Sequence, residues 1–119
     1  MNQRGSAAVE FALVLPLVLI MLLGLVEVAV LARTQLEVVN AAREGARHAA
    51  ADPEPAHAVA AVRNALGPAG GAARVSVRRP HVVGEPAEVI VRFPHRVAAP
   101  FLGGFTVELR ARATMRVEL

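Results

Sequence analysis

The chain of 119 residues contains no cysteine, no lysine, no tryptophan and no tyrosine. Without cysteine no disulfide can brace an extracellular domain, and no thiolate can bind a metal or act as a nucleophile. Without lysine, Schiff-base chemistry and a phosphate-binding P-loop are excluded. The histidines are scattered without the spacing of metal ligands: His48, His57, His81 and His95. We therefore expect no enzymatic activity, no cofactor, no metal site and no small-molecule substrate.

The basic residues carry little net charge. All 13 are arginines, and they face 10 acidic residues, so the net charge is only +3. Arg110, Arg112 and Arg116 lie beside Glu108 and Glu118 on the polar face of the last predicted strand, which is typical of a solvated surface. This balance does not predict a nucleic-acid partner.

One long apolar run lies near the amino end. From Phe11 to Val26 the chain has no charged residue, and Glu27 alone interrupts the apolar sequence up to Ala32. About 22 residues suffice for a helix to cross a hydrocarbon layer about 30 Å thick. A cleavable secretory signal has a shorter apolar region, so a retained transmembrane helix is favoured. Pro16 predicts a kink near Leu15, and Glu27 is expected to be solvated at the far interface.

The helix is predicted to continue beyond the membrane to Ala51. Helix-forming residues dominate this segment, and Asp52-Pro53-Glu54-Pro55 ends it because a residue before proline resists the helical conformation. A helix from about Ser6 to Ala51 would be about 68 Å long. A shallow stripe of residues recurs at helical spacing on the outer half: Leu36, Val39, Ala42 or Arg43, Ala46, and Ala49 or Ala50.

The remaining sequence predicts a small head. A short helix from about Glu54 to Leu66 precedes three segments in which apolar and polar residues alternate, the signature of half-buried strands. These segments are 73–77, 87–93 and 105–119, separated by turn residues at Pro80, 84–86 and 102–104. The predicted fold class is α+β, with a long amino-terminal transmembrane helix, a short second helix and a three-stranded antiparallel sheet. One face of the sheet is expected to pack on either helix.

The opening stretch resembles a known processing motif. "RGSAAVEFALVLPL" has a short polar leader, Gly5, four residues, Glu10 and then a membrane helix, a pattern similar to type IV pilin-like precursors. Together with "AAREGARHAA" and the ending "FTVELRARATMRVEL", it resembles the TadE-like family, small pseudopilins of tight-adherence pilus systems. The resemblance covers nearly the whole chain and is most specific over residues 4–50.

The resemblance implies cleavage between Gly5 and Ser6 by a prepilin peptidase and an assembly role for Glu10 and Phe11. The implied domains are a leader over 1–5, a transmembrane and extended helix over 6–51, and an extracytoplasmic head over 52–119. The implied partners are the membrane, other pilin-like subunits and the pilus assembly platform. The implied location is the cytoplasmic (inner) membrane, with the pilus or cell surface as a further site. The chain would thus be a non-catalytic pseudopilin of a pilus assembly or secretion system.

Two alternatives remain open at the level of sequence. The chain could be an uncleaved single-pass membrane protein with an extracytoplasmic interaction domain, or a secreted basic domain released by signal cleavage. The arginine counts also lean against an extracytoplasmic head. Arg4 and the α-amine precede the apolar run, whereas Arg33, Arg43 and Arg47 follow it, and positive residues favour the cytoplasmic side.

Overall fold

A computed structural model describes residues 3–99 and 103–118 of the chain. Met1 and Asn2 of the predicted leader, Leu102 of the predicted turn and Leu119 at the end of the predicted strand lie outside these residues. The elements are two α-helices, a short 3-10 segment and one sheet, which confirms the predicted α+β class. Their bounds are α1 Gln3–Ala51, α2 Pro55–Leu66, the 3-10 segment Gly67–Ala72, β1 Arg74–Arg78, β2 Pro86–Val97 and β3 Phe105–Arg116.

α1 determines the shape of the molecule. Its 49 residues form one helix about 74 Å long, and the molecule measures 83 × 22 × 17 Å. The helix runs unbroken past Pro16. At its carboxyl end, where helical carbonyls lack partners within the helix, Arg79 Nε donates to the Ala49 carbonyl at 2.6 Å and the Glu118 amide donates to the Ala50 carbonyl at 2.9 Å. The end of α1 is therefore tied to the loop after β1 and to the segment after β3.

α2 turns back against α1 after the proline-rich break. Pro55 occupies the start of the helix, where the missing N–H costs nothing. The Glu54 side chain makes no cap; instead Asp52 Oδ1 accepts the Glu54 amide at 2.9 Å, an Asx turn that closes the junction. Gly67 follows the last turn with a φ of 73°, a left-handed conformation that favours glycine.

The sheet has the order β1-β2-β3, and both pairings are antiparallel. β1 pairs only with Glu88–Arg92, whereas β3 pairs with β2 along its whole length, from Pro86↔Arg116 to Val97↔Phe105. Within the described residues, the last five residues of β2 thus have a neighbouring strand on one side only. Pro94 lies in this stretch, and sheets tolerate proline at such free edges. The β2–β3 hairpin therefore extends beyond the three-stranded part as a two-stranded ribbon.

The core lies where the outer half of α1 meets α2 and the inner face of the sheet. α1 packs on β2 and β3, and α2 packs on α1 and β1. The alternating residues predicted on the inner face of β2 are buried. The core consists mainly of alanine and valine, with one leucine and one phenylalanine: Val38, Ala41, Ala42, Ala46, Ala49, Ala58, Val62, Ala73, Ala87, Val89, Val91, Phe93, Leu109, Ala111 and Val117. With so much alanine, the core stabilises the head mainly through close approach of backbones.

The predicted stripe on α1 was partly wrong. Ala42, Ala46 and Ala49 are buried as expected, but Leu36 is 65% exposed and Val38 is fully buried in its place. The buried face is therefore rotated toward Val38, Ala41 and Gly45. A Cβ on Gly45 would collide with the Val62 side chain and lie 3.2 Å from Val89 Cγ1. Gly45 thus stands where both α2 and β2 come close to α1, so the space between elements, more than hydrophobicity, decides which face of α1 is buried.

Candidate functional site

The residues of the predicted processing motif lie on the first turns of α1. Gly5, Ser6, Glu10 and Phe11 are all exposed. A Cβ built on Gly5 meets nothing within 4 Å, and its φ is not in the left-handed region. Neither packing nor backbone conformation therefore requires glycine at this position.

Glu10 is a carboxylate on an otherwise apolar, uncovered surface. The apolar window of α1 has a mean hydropathy of 2.8, and none of it is buried within the molecule. By length and composition this is a helix that could cross a membrane, and it fits a single-pass membrane protein. Within the described residues the Glu10 side chain has no hydrogen bond or ion pair. Since an ionisable group is costly beside hydrocarbon, its place next to the apolar run makes Glu10 a candidate functional residue.

Glu27 has surroundings that the sequence did not reveal. It is half-buried and lines an open groove of about 360 Å³ between α1 and the tip of the β2–β3 hairpin. The other groove residues are apolar or small, with Ile20 and Leu23 on the helix and Val97 and Phe105 on the hairpin. Contacts between residues about 80 positions apart leave no local pattern, so periodicity could not have shown that Glu27 faces the hairpin.

A cluster of titratable side chains lies at the α1–α2 junction. Asp52 Oδ2 and His57 Nδ1 are 2.5 Å apart, and the nearby Glu44 carboxylate lies 2.9 Å from Arg47 and 3.3 Å from His48. The Glu54 amide and His57 lower the pKa of Asp52, and the hydrogen bond to Asp52 raises the pKa of His57. Arg47, and more weakly His48, lower the pKa of Glu44. Both partners of Glu44 lie on the same face of α1, since Arg47 is three and His48 four residues further on.

The geometry of this cluster indicates a structural role at the junction of the two helices. In residues 3–99 and 103–118, no three histidine, aspartate or glutamate side chains are arranged to hold a metal ion. The Asp52–His57 pair spans the break between the two helices, and its members are substantially exposed. Its contribution is therefore to fix the entry of α2 against the end of α1, and exposure to water keeps that contribution small.

An NMR titration checks this assignment. The His57 ring should titrate above its ordinary pKa, Asp52→Asn should return the pKa most of the way, and Glu54→Gln should lower it less, because Glu54 acts only through distant charge. Protonated His57 stabilises the junction fully at low pH, and this contribution is lost as the pH rises through the raised pKa of His57. Ionised Asp52 contributes at higher pH, and its contribution is lost as the pH falls through the lowered pKa of Asp52. A His57 pKa unchanged in the Asp52→Asn variant would contradict the pairing.

The outer face of the sheet carries a row of arginines that the sequence alone did not align. The strand register places Arg74, Arg92 and Arg110 side by side across the three strands. Arg92 Nε lies 3.8 Å from Glu108, while Arg112 Nε lies 3.7 Å from Glu88. Like charges directly opposite one another destabilise a sheet, and the exposed ion pairs offset little of that repulsion. The alternation of apolar and polar residues predicted which face of the sheet is exposed. Only the strand register shows that three arginines lie next to one another on that face.

Comparison with known proteins supports the resemblance drawn from the sequence. Residues 5–47 match the family model described as TadE-like protein. Neither curated proteins nor solved structures gave a significant match to the chain. The matched segment contains Gly5, Ser6, Glu10 and Phe11, the whole apolar run and most of the outer half of α1.

Proposed function

From the TadE-like character of the amino-terminal helix, we propose that this chain is a non-catalytic, membrane-anchored pseudopilin-like protein of a tight-adherence pilus assembly or secretion system. The family points to a pilus-assembly-related membrane protein and is not known for enzymatic activity. The observation that carries the proposal is the family match over 5–47, which coincides with a helix whose apolar half is uncovered and whose outer half is built into the head.

Processing is the first part of the proposal. A prepilin peptidase removes residues 1–5 by cutting between Gly5 and Ser6. Support comes from the spacing of Gly5 and Glu10 and from a glycine that the fold itself does not need. The cut leaves a new α-amine on Ser6, a cation at the head of the helix.

Assembly is the second part. In a bundle of such helices, Glu10 of one subunit can meet the Ser6 amine of a neighbour, with Phe11 beside it in the contact. A charge that is costly alone and satisfied by a neighbour sets the register between subunits. The partners are other pilin-like subunits and the assembly platform, with α1 as the shared element.

The location is the third part of the proposal. The chain resides in the cytoplasmic (inner) membrane as a single-pass protein, and the head, residues 52–119, lies on the extracytoplasmic side, with the pilus or cell surface as a further destination. Protease added to intact spheroplasts should therefore digest the head. A protected head would reverse the topology and agree with the arginine counts instead.

Mass spectrometry of the protein from its native membrane tests the processing step. The mature chain should begin at Ser6, and Gly5→Leu should abolish the cut because the peptidase pattern demands the smallest residue before the scissile bond. Ala8→Leu is the matched control: it adds the same bulk to an exposed position less than one turn further on and should be cleaved normally.

An intact terminus at Met1 or Asn2, in cells with an active prepilin peptidase, would overturn the processing proposal. It would favour the alternative function, an uncleaved single-pass membrane protein whose head binds an extracytoplasmic partner. A terminus beyond the apolar run would instead indicate a secreted domain.

A further inference from the structure

The tip of the β2–β3 hairpin is apolar and lies beside the helix that enters the membrane. β2 ends at Val97 and is followed by Ala98 and Ala99, and β3 begins at Phe105, which is 56% exposed. Across the open groove they face α1 between Ile20 and Leu31, a stretch about 17 Å long. Most of this helical stretch belongs to the apolar run, so a membrane that holds the run must come close to the hairpin tip.

The backbone of the tip limits how deep it can lie. Beyond β1, the hairpin is a two-stranded ribbon with both edges open among the described residues. Open strand edges do not enter hydrocarbon, because their N–H and C=O groups would lose water without gaining partners. The tip can therefore occupy the interfacial zone but not the middle of the bilayer.

The limit decides which part of α1 can span the membrane. About 20 residues of helix cover the ~30 Å of hydrocarbon, so a spanning segment that stops before Glu27 runs from about Ser6 to about Gly24. Glu27 then lies at the interface on the side of the head, level with the groove. Arg33 on α1 and Arg96 on the hairpin are exposed, and long arginine side chains can reach toward the lipid headgroups.

We propose that the hairpin tip rests in the membrane interface, where lipid acyl chains fill the groove between α1 and the hairpin. The head thus meets the bilayer at two places, the helix and the tip formed by Val97–Ala99 and Phe105. The spanning segment is then about 6–24, closer to the amino end than the apolar run alone indicates. This inference rests on the proposed membrane anchoring but not on cleavage or pilus assembly.

Spin labels measure the depth directly, and the absence of native cysteine makes each introduced cysteine unique. The full chain is placed in nanodiscs of phosphatidylcholine and phosphatidylglycerol, one chain per disc. Labels at Ala98→Cys and Phe105→Cys should be more accessible to oxygen than to a water-soluble nickel complex. A label at Val83→Cys, an equally exposed apolar site at the other end of the sheet, should show the opposite order.

A second variant tests whether the apolar tip itself makes the contact. Adding Phe105→Asp to the Ala98→Cys protein should invert the accessibility ratio of the label, whereas adding Val83→Asp should leave it unchanged. Amide exchange at Val89 and Val91, both fully buried, reports whether the sheet stays folded in each variant.

Labels at Ala98 and Phe105 that are as water-accessible as the label at Val83 would overturn the proposal. Protection that appears only with several chains per disc would also overturn it, since a second copy would then fill the groove. A label at Val18→Cys separates these failures from a failure of membrane anchoring, because that label must be lipid-exposed if α1 spans at all.

Discussion

Replacing Glu10 by glutamine should leave the protein in the membrane at normal abundance and normally processed, while its crosslinking to neighbouring pilin-like subunits falls about thirtyfold. Glutamine keeps the size and hydrogen-bonding capacity of the side chain but removes the charge that the Ser6 amine of a neighbour would meet. Losing a charge-assisted hydrogen bond costs about 2 kcal/mol, which corresponds to that factor in association. Membrane insertion should not suffer, since removing a charge makes insertion easier.

Glu27→Gln is the matched control for this experiment. It removes a carboxylate from the same helix, but one that lies beside the hairpin tip rather than near the amino end. Crosslinking through the amino-terminal segment should stay at the wild-type level in this variant. If Glu10→Gln also assembled like the wild type, the charge of Glu10 would have no role in assembly, and its place before the apolar run would be incidental.

Gly70→Ala should destabilise the head by about 3 kcal/mol, the largest effect expected for any glycine outside the processing motif. Gly70 is buried where the 3-10 segment turns back under the end of α2. A Cβ there would collide with the carbonyl oxygen of Arg63 and lie 2.9 Å from its carbonyl carbon. Both atoms belong to the backbone of α2, which cannot move aside as the end of a flexible side chain could, so the strain of overpacking falls on the helix.

The adjacent Gly71→Ala supplies the control. A Cβ on Gly71 meets nothing within 4 Å, and the residue lies in the same 3-10 segment, so the change should stay within about 0.5 kcal/mol of the wild type. Amide exchange of β2 in nanodiscs gives the free energy of opening for both variants. Equal protection in the two variants would mean that the end of α2 and the 3-10 segment do not approach as closely as the structure places them.

The sequence predicted well those elements whose apolar and polar residues repeat with a helical or strand period. The α1 helix, expected from about Ser6 to Ala51, spans Gln3–Ala51, because uninterrupted helix formers and a following Asp-Pro step define both its body and its end. The inner face of β2 was predicted residue by residue, since a strand buried on one face alternates strictly. The candidate processing residues came instead from the resemblance to the TadE-like family, and their roles stay predictions.

What the sequence could not predict depended on contacts between distant segments. The buried face of α1 was misplaced at Leu36, because on an alanine-rich helix hydrophobicity barely distinguishes one side from another. The close approaches at Gly45 and Gly70, and the alignment of three arginines across the sheet, require the positions of other elements. The same holds for the groove beside Glu27, which forms only when the hairpin folds down along the helix.

Because α1 is one continuous helix, the orientation of its apolar segment determines the position of the head. Residues Gln3–Ala51 form one helix. The part of α1 that packs into the core therefore follows the apolar run without a flexible linker. About 40 Å of helix lies beyond Gly24. A tilt of about 20°, common for membrane helices, would therefore carry the far end of the head about 14 Å sideways. A change in the tilt of the membrane segment is therefore transmitted through the helix to the sheet, and a hairpin tip that rests on the bilayer would limit how far the head moves.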